Sequence, residues 1–319
     1  MAVVDFYRGI DSMRKACAGA HVVTIGAFDG VHLGHQQLLM AARAKASALS
    51  LPSLAIVFEP QPNEFFQKER APARLMRLRE KVSAVAEVGI DAVLCLKFDA
   101  RLRALSAERF VEQVLLDATQ CKALIVGDDF RFGCDRSGDF EFLQQQGRKL
   151  GFEVADTETH EHAEERVSST RLRSLLAEGQ LASVKALLGR PYSNCGRVSY
   201  GQQLGRSIGF PTANIALARR KVALEGVFAV LLEHNGCVYN GVANVGSRPT
   251  VDGINKAKLE VYVLDKTLNL YGDFVRVSYM KKIRDEKKFS GIDALKQQIA
   301  VDVEQARAFF ASAETELNM

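Results

Sequence analysis

Two histidines three positions apart stand in a glycine-rich stretch near the start of the chain. The stretch reads Gly26-Ala27-Phe28-Asp29-Gly30-Val31-His32-Leu33-Gly34-His35 and joins a short apolar run to a helical pattern. Glycines let the backbone approach a phosphate closely, and the first turn of a helix offers free N–H groups and a positive dipole end. Histidines at that point can donate hydrogen bonds to the charge that develops when pyrophosphate leaves. The stretch therefore predicts a polyphosphate site.

A second group of phosphate-binding side chains lies far downstream. Hydroxyls at Ser168, Ser169 and Thr170 open a helical pattern, and Arg171 and Arg173 follow them. Such a segment can cap a helix and can equally hold a phosphate through charge-assisted hydrogen bonds. Capping alone would explain the serines, so the residues by themselves leave both interpretations open.

Aromatic and acidic residues follow two other apolar runs of the first half. One segment reads Gly127-Asp128-Asp129-Phe130-Arg131-Phe132, and another, 58–66, ends in Phe65 and Phe66. In open α/β sheets, ligands bind beyond the carboxyl ends of the strands. Aromatic rings and a carboxylate suit a flat ring with hydrogen-bonding edges. Burial of Phe130 and Phe132 in the core is the competing interpretation.

The second half carries another glycine-rich stretch, and it closes on a distinctive tetrapeptide. Gly201, Gly205, Arg206 and Gly209 precede Pro211-Thr212-Ala213-Asn214. Oxygen ligands suit Mg²⁺ and backbone N–H groups suit phosphate. The chain has no G-K-[ST] sequence of the P-loop type, which excludes that class of kinase. The tetrapeptide taken alone is also typical of a turn.

One carboxylate of the second half stands between apolar neighbours. Alternation along a strand places Glu260 on the face opposite Leu259 and Val261, and we expect it inside the mouth of a small barrel. Burial of a carboxylate there costs free energy, which indicates that Glu260 has a function. The charged run 282–289, with Arg284 and Glu286, is ordinarily a solvated face. The spacing of His160 and His162 favours an exposed loop over a metal site.

The order of elements predicts two domains. In the first half, apolar runs at 22–25, 53–58, 92–96 and 123–126 alternate with helical patterns such as 36–48, 74–88, 107–115, 169–177 and 181–188, as in a parallel sheet with crossover helices. After Gly189 the pattern changes to short strands at 227–232, 238–245, 259–264 and 275–280, with a closing helix from about residue 292 to 314. We expect a Rossmann-like α/β domain over 1–186 and a small antiparallel β-barrel with a C-terminal helix over 187–319.

The composition limits the partners. The chain has 319 residues and a formal net charge of +4, far from the basic stripe of a nucleic-acid-binding protein. Its six cysteines are scattered without zinc spacing, and no apolar run approaches a membrane span. We expect a cytoplasmic protein that binds small anionic molecules, with no nucleic acid and no membrane as partner. The oligomeric state stays open, a homo-oligomer included.

The first set of motifs resembles the H-x-G-H signature of the nucleotidylyltransferase superfamily. The segment from Ser168 to Arg173 resembles the S-S-T-x-x-R segment that closes over ATP in that superfamily, and 58–62 with 126–133 narrow the likeness to the bacterial FAD synthetase branch. The resemblance implies ATP binding by Gly26, Phe28, Asp29, Gly30, His32, His35, Ser169, Thr170, Arg171 and Arg173, with His32 and His35 catalytic. It implies flavin binding by Phe66, Asp128, Asp129, Phe130 and Phe132.

The second set resembles the riboflavin kinase signature over nearly the whole remaining chain. The resemblance implies that Thr212 and Asn214 hold Mg²⁺ and that Glu260 is the catalytic base. It further implies flavin binding by Glu260, Arg284 and Glu286, and ATP binding by Gly201, Gly205, Arg206, Gly209, Pro211, Thr212 and Asn214. Two positions depart from the family pattern: Met76, expected to lie away from the chemistry, replaces a frequent threonine, and Tyr262 replaces a frequent histidine.

Together these resemblances predict a bifunctional enzyme of the bacterial riboflavin kinase/FAD synthetase family. It would phosphorylate riboflavin to FMN in the C-terminal domain and adenylylate FMN to FAD in the N-terminal domain, with ATP and Mg²⁺. One alternative is an adenylyltransferase for pantetheine phosphate or nicotinamide mononucleotide; the Pro211–Asn214 tetrapeptide and Glu260 argue against it. The other is a flavin sensor or carrier without catalysis, against which the complete set of chemical residues argues.

Overall fold

The computed structural model describes residues 4–16, 19–157, 161–162, 165–201, 205, 208–219, 221–249 and 255–317. The chain divides into two compact units. The first contains Met1–Pro72 and Met76–Ser169, and the second contains Ala73–Leu75 and Thr170–Met319. The boundary predicted between residues 186 and 187 falls within a helix of the second unit, and it stays a prediction about the catalytic modules.

The first unit is built on a parallel sheet, as the sequence predicted. The strand order is β1-β4-β3-β2-β5-β6, and every neighbouring pair is parallel. Successive connections run to opposite sides of β2, which places a topological switch point beside that strand. In chain order the strands are β1 (Asp5–Arg8), β2 (His21–Ile25), β3 (Ser53–Glu59), β4 (Ala92–Lys97), β5 (Cys121–Gly127) and β6 (Glu153–Thr157).

Helices cover both faces of this sheet, because its central strands are apolar on both sides. Leu38, Leu39 and Ala42 pack on one face, and Val111 and Leu115 pack on the other. The helices are α1 (Ile10–Ala16), α2 (Leu33–Leu49), α3 (Pro62–Gln67), α4 (Leu78–Glu87), α5 (Ala100–Arg103), α6 (Ala107–Phe110) and α7 (Phe140–Leu150). A 3₁₀ turn, Lys68–Arg70, follows α3, and α6 continues as a π-helix over Val111–Ala118.

The helix predicted over 74–88 is shorter in the structure. It begins at Leu78 with Arg77 as its N-cap, whose backbone N–H donates to the Glu80 carboxylate at 2.6 Å. The strands β1 and β6 and the helices α1, α3, α5 and α7 were not predicted. β1 is an edge strand with largely exposed side chains, so it lacks the apolar run that marks the central strands.

Short elements connect the sheet to the second half. Two strands of two residues each, β7 (Glu161–His162) and β8 (Glu165–Arg166), pair antiparallel. His162 therefore lies in a strand and not in the predicted loop. His160 lies outside the described residues. The chain then forms α8 (Ser169–Glu178) and α9 (Leu181–Leu188). Both helices match the predicted ranges closely.

The second unit is a closed antiparallel barrel with the strand order β10-β13-β12-β11-β14-β9, which confirms the predicted fold. Its interior is filled by buried apolar side chains such as Phe228, Val230 and Val261. One helix, α10 (Ile292–Leu317), packs on the outer face of the barrel. The strands are β9 (Ser193–Ser199), β10 (Thr212–Ala216), β11 (Gly226–His234), β12 (Cys237–Pro249), β13 (Asn255–Val263) and β14 (Phe274–Arg284).

The expectation that Glu260 lies inside the barrel is wrong. Alternation does separate it from Leu259 and Val261, but those two residues are fully buried and face the interior. Glu260 therefore lies on the outer face, with its side chain 23% exposed. In a barrel this small the apolar residues of each strand fill the interior, so the polar residues point outward.

Arg284 fastens the end of β14 to α10. Its guanidinium makes a bidentate pair with Asp302, with Nε to Oδ1 at 2.8 Å and Nη2 to Oδ2 at 2.8 Å. Asp302 is 2% exposed and also accepts a hydrogen bond from Gln298. A buried carboxylate needs such partners, because an isolated buried charge is very costly.

Among the described residues, no helix is both long enough and apolar enough to cross a lipid bilayer.

Candidate active sites

The turn after β2 carries the first predicted site. It lies at the switch point of the sheet, and its backbone is strained: Phe28, Gly30 and Val31 have φ angles of 45°, 95° and 42°. Left-handed conformations cost energy in residues that have a Cβ, and such strain is typical of functional turns. Phe28 is fully buried, so its ring packs in the core and its predicted ATP binding stays a prediction.

His32 and His35 stack on each other at the start of α2. Their ring centroids are 3.6 Å apart with an interplanar angle of 16°, and Phe28 meets His35 edge-on. His32 is the N-cap of α2, since its Nδ1 accepts a hydrogen bond from the His35 backbone N–H at 3.3 Å. Desolvation lowers the pKa of His35 well below 6.5, with smaller contributions from His32 and Lys81. His35 is therefore neutral at pH 7.

Asp29 holds the turn in place instead of facing outward. Its carboxylate accepts a hydrogen bond from the Met76 backbone N–H at 3.0 Å, and its carbonyl accepts one from Ser169 Oγ at 2.8 Å. Ser169 is thus brought onto the H-x-G-H turn across 140 residues of sequence. The Met76 side chain is buried in the core cluster, as expected of a packing variation, while its backbone N–H supports this turn.

The remaining residues of the S-S-T-x-x-R segment lie in the first turns of α8. Thr170 and Arg171 follow Ser169 there, and Arg173 donates from Nε to the Ala73 carbonyl at 2.6 Å within the second unit. That bond occupies one donor of the Arg173 fork. A guanidinium has further N–H groups, so Arg173 stays a candidate phosphate ligand.

An aromatic cluster lies at the carboxyl ends of β3 and β4. Phe65, Phe66 and Phe98 contact one another with centroids 5.4 to 5.8 Å apart, and Phe66 is 57% exposed. Arg103 lies over the Phe66 ring at 5.7 Å. An exposed aromatic surface at the carboxyl edge of the sheet suits a flat ring. Sequence reasoning named Phe66 but missed Phe98, whose only signal was an aromatic residue just after a strand.

The segment after β5 is only partly available to a ligand. Phe132 is 8% exposed and packs in the core with Phe110, while Phe130 is half-buried and stacks on Phe132 at 5.4 Å. The Asp129 carboxylate pairs with Arg166 at 2.5 Å. Within this segment Asp128 and Asp129 are therefore exposed, whereas Phe130 is half-buried and Phe132 is buried.

Two neutral histidines make the first unit sensitive to acid. Burial lowers the pKa of His21, which contacts the Thr119 carbonyl at 3.0 Å, and that of His35, both from an ordinary 6.5. Below that pH the unfolded chain binds protons that the folded unit does not, so stability is lost as the pH falls. The slope is about 1.4 kcal/mol per pH unit for each histidine.

We therefore expect hydrogen exchange in β2 and α2 to accelerate as the pH is lowered from about 7 to 5, after correction for the intrinsic rate. Asp99 and Asp135, whose pKa values are lowered by hydrogen bonds, lose their stabilisation only below about pH 4, outside this window. His21→Gln should remove part of the slope. Corrected exchange that is flat across the window would contradict this prediction.

The outer face of the barrel groups the chemical residues of the second half. β10 and β12 both pair with β13, and Asn214 and Asn244 are the two cross-strand partners of Glu260. Thr212, two residues before Asn214, points to the same face opposite Tyr262. Directly paired side chains lie about 5 Å apart. Two amides therefore flank the carboxylate, and Asn244 is a site residue that the sequence analysis did not single out.

The Pro211–Asn214 tetrapeptide is not a turn, since β10 begins at Thr212. The glycine-rich stretch packs on this strand: a Cβ at Gly201 would collide with the Asn214 carboxamide, and one at Gly205 would collide with the Phe210 carbonyl. The predicted loop and the tetrapeptide thus come together. Gly209 is described in a left-handed turn with φ of 91°, whereas Arg206 lies outside the described residues.

A cavity of about 550 Å³ opens beside the tetrapeptide at the end of the barrel. Pro211 and Thr212 form one wall, and the loop before β14 forms the other. This volume is in the range of small-molecule sites, which are mostly apolar with a few polar groups. The remaining lining residues include Val261, Val263, Lys266, Asn269, Leu270 and Tyr271.

Charged residues surround Glu260. Lys258 forms an ion pair with it at 2.6 Å, and the Glu286 carboxylate lies against Gly246, the cross-strand partner of Lys258. Glu286 therefore reaches this face, and its predicted contact with a flavin stays a prediction. The Arg284 guanidinium is paired with Asp302, so it stabilises the start of the segment that follows β14. Its predicted contact with a flavin stays a prediction.

The oxygen atoms on this face fit a hard divalent cation. Thr212 and Asn214 supply a hydroxyl and an amide carbonyl near a carboxylate. Among the described residues, no cluster of three or more His, Cys, Asp or Glu side chains could hold a metal. Mg²⁺ ordinarily binds through one or two protein groups together with substrate phosphates, so such a cluster is not required.

These features define a class. The first unit is a nucleotidyltransferase-like domain with an H-x-G-H turn at its switch point, and the second is a barrel of the flavokinase type with a C-terminal helix. The FAD synthetase family model matches residues 14–171, and the riboflavin kinase family model matches residues 188–310.

Curated relatives match over nearly the full length. The bifunctional riboflavin kinase/FMN adenylyltransferase of Escherichia coli K12 is 47% identical over 95% of this chain and 97% of its own. That of Pseudomonas fluorescens is 48% identical over 97% and 98%. A crystal structure described as a macrolide-efflux protein from Streptococcus pneumoniae is 29% identical, with a TM-score of 0.81 over 95% of this chain and 99% of that one. The chain belongs to the family of bifunctional riboflavin kinase/FMN adenylyltransferases, which confirms the function predicted from sequence.

Proposed function

We propose that the first unit joins AMP to FMN at the turn that carries His32 and His35. A phosphate oxygen of FMN attacks the α-phosphorus of ATP, the bond from that phosphorus to the bridging oxygen breaks, and pyrophosphate leaves. The stacked imidazoles lie at the positive end of α2, where N–H donors can stabilise the developing charge. Positioning, not a covalent intermediate, supplies the catalysis.

FMN would bind at the carboxyl ends of β3 and β5. The exposed ring of Phe66, supported by Phe98, offers a surface for the isoalloxazine. Phe130 and Asp128, beyond β5, would contact its other side and its polar edge. Because β2 lies between β3 and β5, this arrangement brings the FMN phosphate toward the H-x-G-H turn.

The second unit would phosphorylate riboflavin on the outer face of its barrel. Glu260 takes the proton from the ribityl hydroxyl while that oxygen attacks the γ-phosphorus of ATP, and ADP leaves. Asn214 and Asn244 flank the carboxylate and can orient it through hydrogen bonds. The cavity beside Pro211 and Thr212 has room for part of the nucleotide.

Mg²⁺ would be held in the second unit by the Thr212 hydroxyl and the Asn214 carbonyl, together with ATP phosphates. When bound, it neutralises phosphate charge. Gly201 packs against Asn214 and Gly205 against Phe210 and Thr212, which supports phosphate binding by their backbone N–H groups. The observation that carries the proposal is the direct pairing of Asn214 with Glu260, which puts a phosphate-site residue beside a base.

The test is conversion by the purified full-length chain. Riboflavin, ATP and Mg²⁺ should yield FMN and then FAD by chromatography, and omission of Mg²⁺ should stop both steps. Nicotinamide mononucleotide and pantetheine phosphate, offered in place of FMN, should not be adenylylated. Adenylylation of either compound in preference to FMN, or flavin binding without ATP consumption, would contradict the proposal.

The partners on this proposal are small molecules: riboflavin, FMN and ATP. The five cysteines described are free thiols, which fits a reducing compartment such as the cytoplasm. The net charge of +4 does not call for nucleic acid.

A further inference from the structure

A lysine is buried in the first turn of α4. Lys81 is 1% exposed and lies one helical turn before Ala84 and Val85, which belong to the core between α2 and the sheet. A buried ammonium is costly, and a cation near the N-terminus of a helix also meets the positive end of the dipole. An apolar side chain of similar length would fit this core at lower cost, so packing does not account for the lysine.

The neighbours of Lys81 connect it to the adenylylation site. Its ammonium lies within electrostatic range of the His35 imidazole and of the Cys95 thiol on β4. Glu59 and Arg8 also act on that thiol, and His32 acts on His35 from the other side. Geometry ties this helix to the turn: the Met76 N–H, two residues before α4, donates to the Asp29 carboxylate at 3.0 Å, and Ala84 and Val85 share one buried cluster with Phe28 and Val31.

The charge of Lys81 matters because the H-x-G-H turn has no full positive charge on His35. Because His35 is neutral, it can donate a hydrogen bond but brings no positive charge to a triphosphate. The helix dipole supplies only a partial charge. A full positive charge in this core would polarise the imidazole and attract the phosphates through a protein interior that screens charge weakly.

We propose that Lys81 is a positioning residue for adenylyl transfer, whose buried ammonium acts through His35 to hold the ATP phosphates at the turn. This inference rests on the proposed function of the first unit. It assigns to α4 a part in the reaction that the family motifs in the turn and in α8 do not include.

The test compares Lys81→Met, Lys81→Arg and, as a matched surface control, Lys149→Met on α7. Lys81→Met keeps the length and removes the charge. The catalytic efficiency of FAD formation with ATP should fall about tenfold to a hundredfold, as expected for one unit charge roughly 6 to 12 Å away at an effective dielectric constant of about 20. Lys81→Arg should restore most of it, and Lys149→Met should change nothing. Riboflavin phosphorylation by each variant reports on the integrity of the chain.

A purely structural role for Lys81 predicts a different dependence of FAD formation on temperature. If the ammonium served only the fold, Lys81→Met would lower the melting temperature of the first unit, and FAD formation would recover on cooling. On our proposal FAD formation by Lys81→Met stays low at every temperature at which the first unit is folded, because the missing charge and not unfolding causes the loss. Lys81→Gln is a second uncharged variant, should the methionine fail to fold.

The outcomes separate the two proposals. Full FAD formation by folded Lys81→Met, or a loss that Lys81→Arg does not restore, would overturn the role of Lys81 while leaving the histidine site intact. FAD formation that survives both Lys81→Met and the His32/His35 double substitution would instead remove the adenylylation site itself.

Discussion

Replacing His32 and His35 together with alanine is expected to abolish FAD formation while FMN accumulates. The two stacked rings lie at the start of α2, at the switch point of the sheet. Each donor aimed at the leaving pyrophosphate is typically worth roughly 3 kcal/mol in the transition state, so the pair should account for at least about a thousandfold in rate. The measurement is the rate of FMN to FAD, set against riboflavin to FMN on the same sample.

His32 also stabilises the fold, and this effect can be separated from its effect on catalysis. His32 caps α2, and loss of a cap costs about 1 kcal/mol of stability. His32→Ser keeps a capping hydroxyl but cannot reach a phosphate, so it should melt like the parent and still lose most FAD formation. Normal FAD synthesis by the folded double variant would overturn the placement of the adenylylation site.

Glu260→Gln is expected to slow riboflavin phosphorylation by about 10² to 10⁴, the usual worth of a general base. Glutamine keeps the size and most hydrogen bonds toward Asn214 and Asn244 but cannot take a proton at neutral pH. The barrel should stay folded, since the side chain lies on the outer face and the interior is unchanged. Adenylylation of supplied FMN should be almost untouched.

Lys258 makes a control necessary, because the substitution also breaks its ion pair with Glu260. Lys258→Gln removes the pair and keeps the base, so it should retain far more kinase activity than Glu260→Gln. Glu233→Gln, an exposed carboxylate on β11, tests for a general effect of charge on the barrel. Should Glu260→Gln keep its kinase rate, another group is the base; should it melt early and lose both activities, Glu260 is structural.

Local sequence predicted most of the regular structure. The central strands β2, β3, β4 and β5 are apolar on both faces, so they stand out as continuous runs. The barrel strands end at turn residues. Edge elements such as β1 carry little of this signal, because one side of an edge strand has no partner strand and its side chains are exposed.

The chemical motifs could also be recognised in the sequence, because the residues of each motif are contiguous. The H-x-G-H turn and the Pro211–Asn214 tetrapeptide need several residue types at fixed spacing, and the structure places both at ends or faces of a sheet. Their roles as ligands remain predictions that the experiments above address.

Long-range contacts were decided only by the tertiary structure. Period-two alternation separated Glu260 from Leu259 but did not say which face was the interior, because that depends on how the sheet closes. The Asp29 carboxylate accepts from the Met76 backbone N–H, and the Asp29 carbonyl accepts from the Ser169 hydroxyl; each bond has one backbone partner, which leaves no mark on residue type. Lys81 reads as an ordinary helix lysine until the packing of α4 buries it within electrostatic range of His35. The sequence by itself determined which chemistries this protein carries, and packing decided which atoms face them.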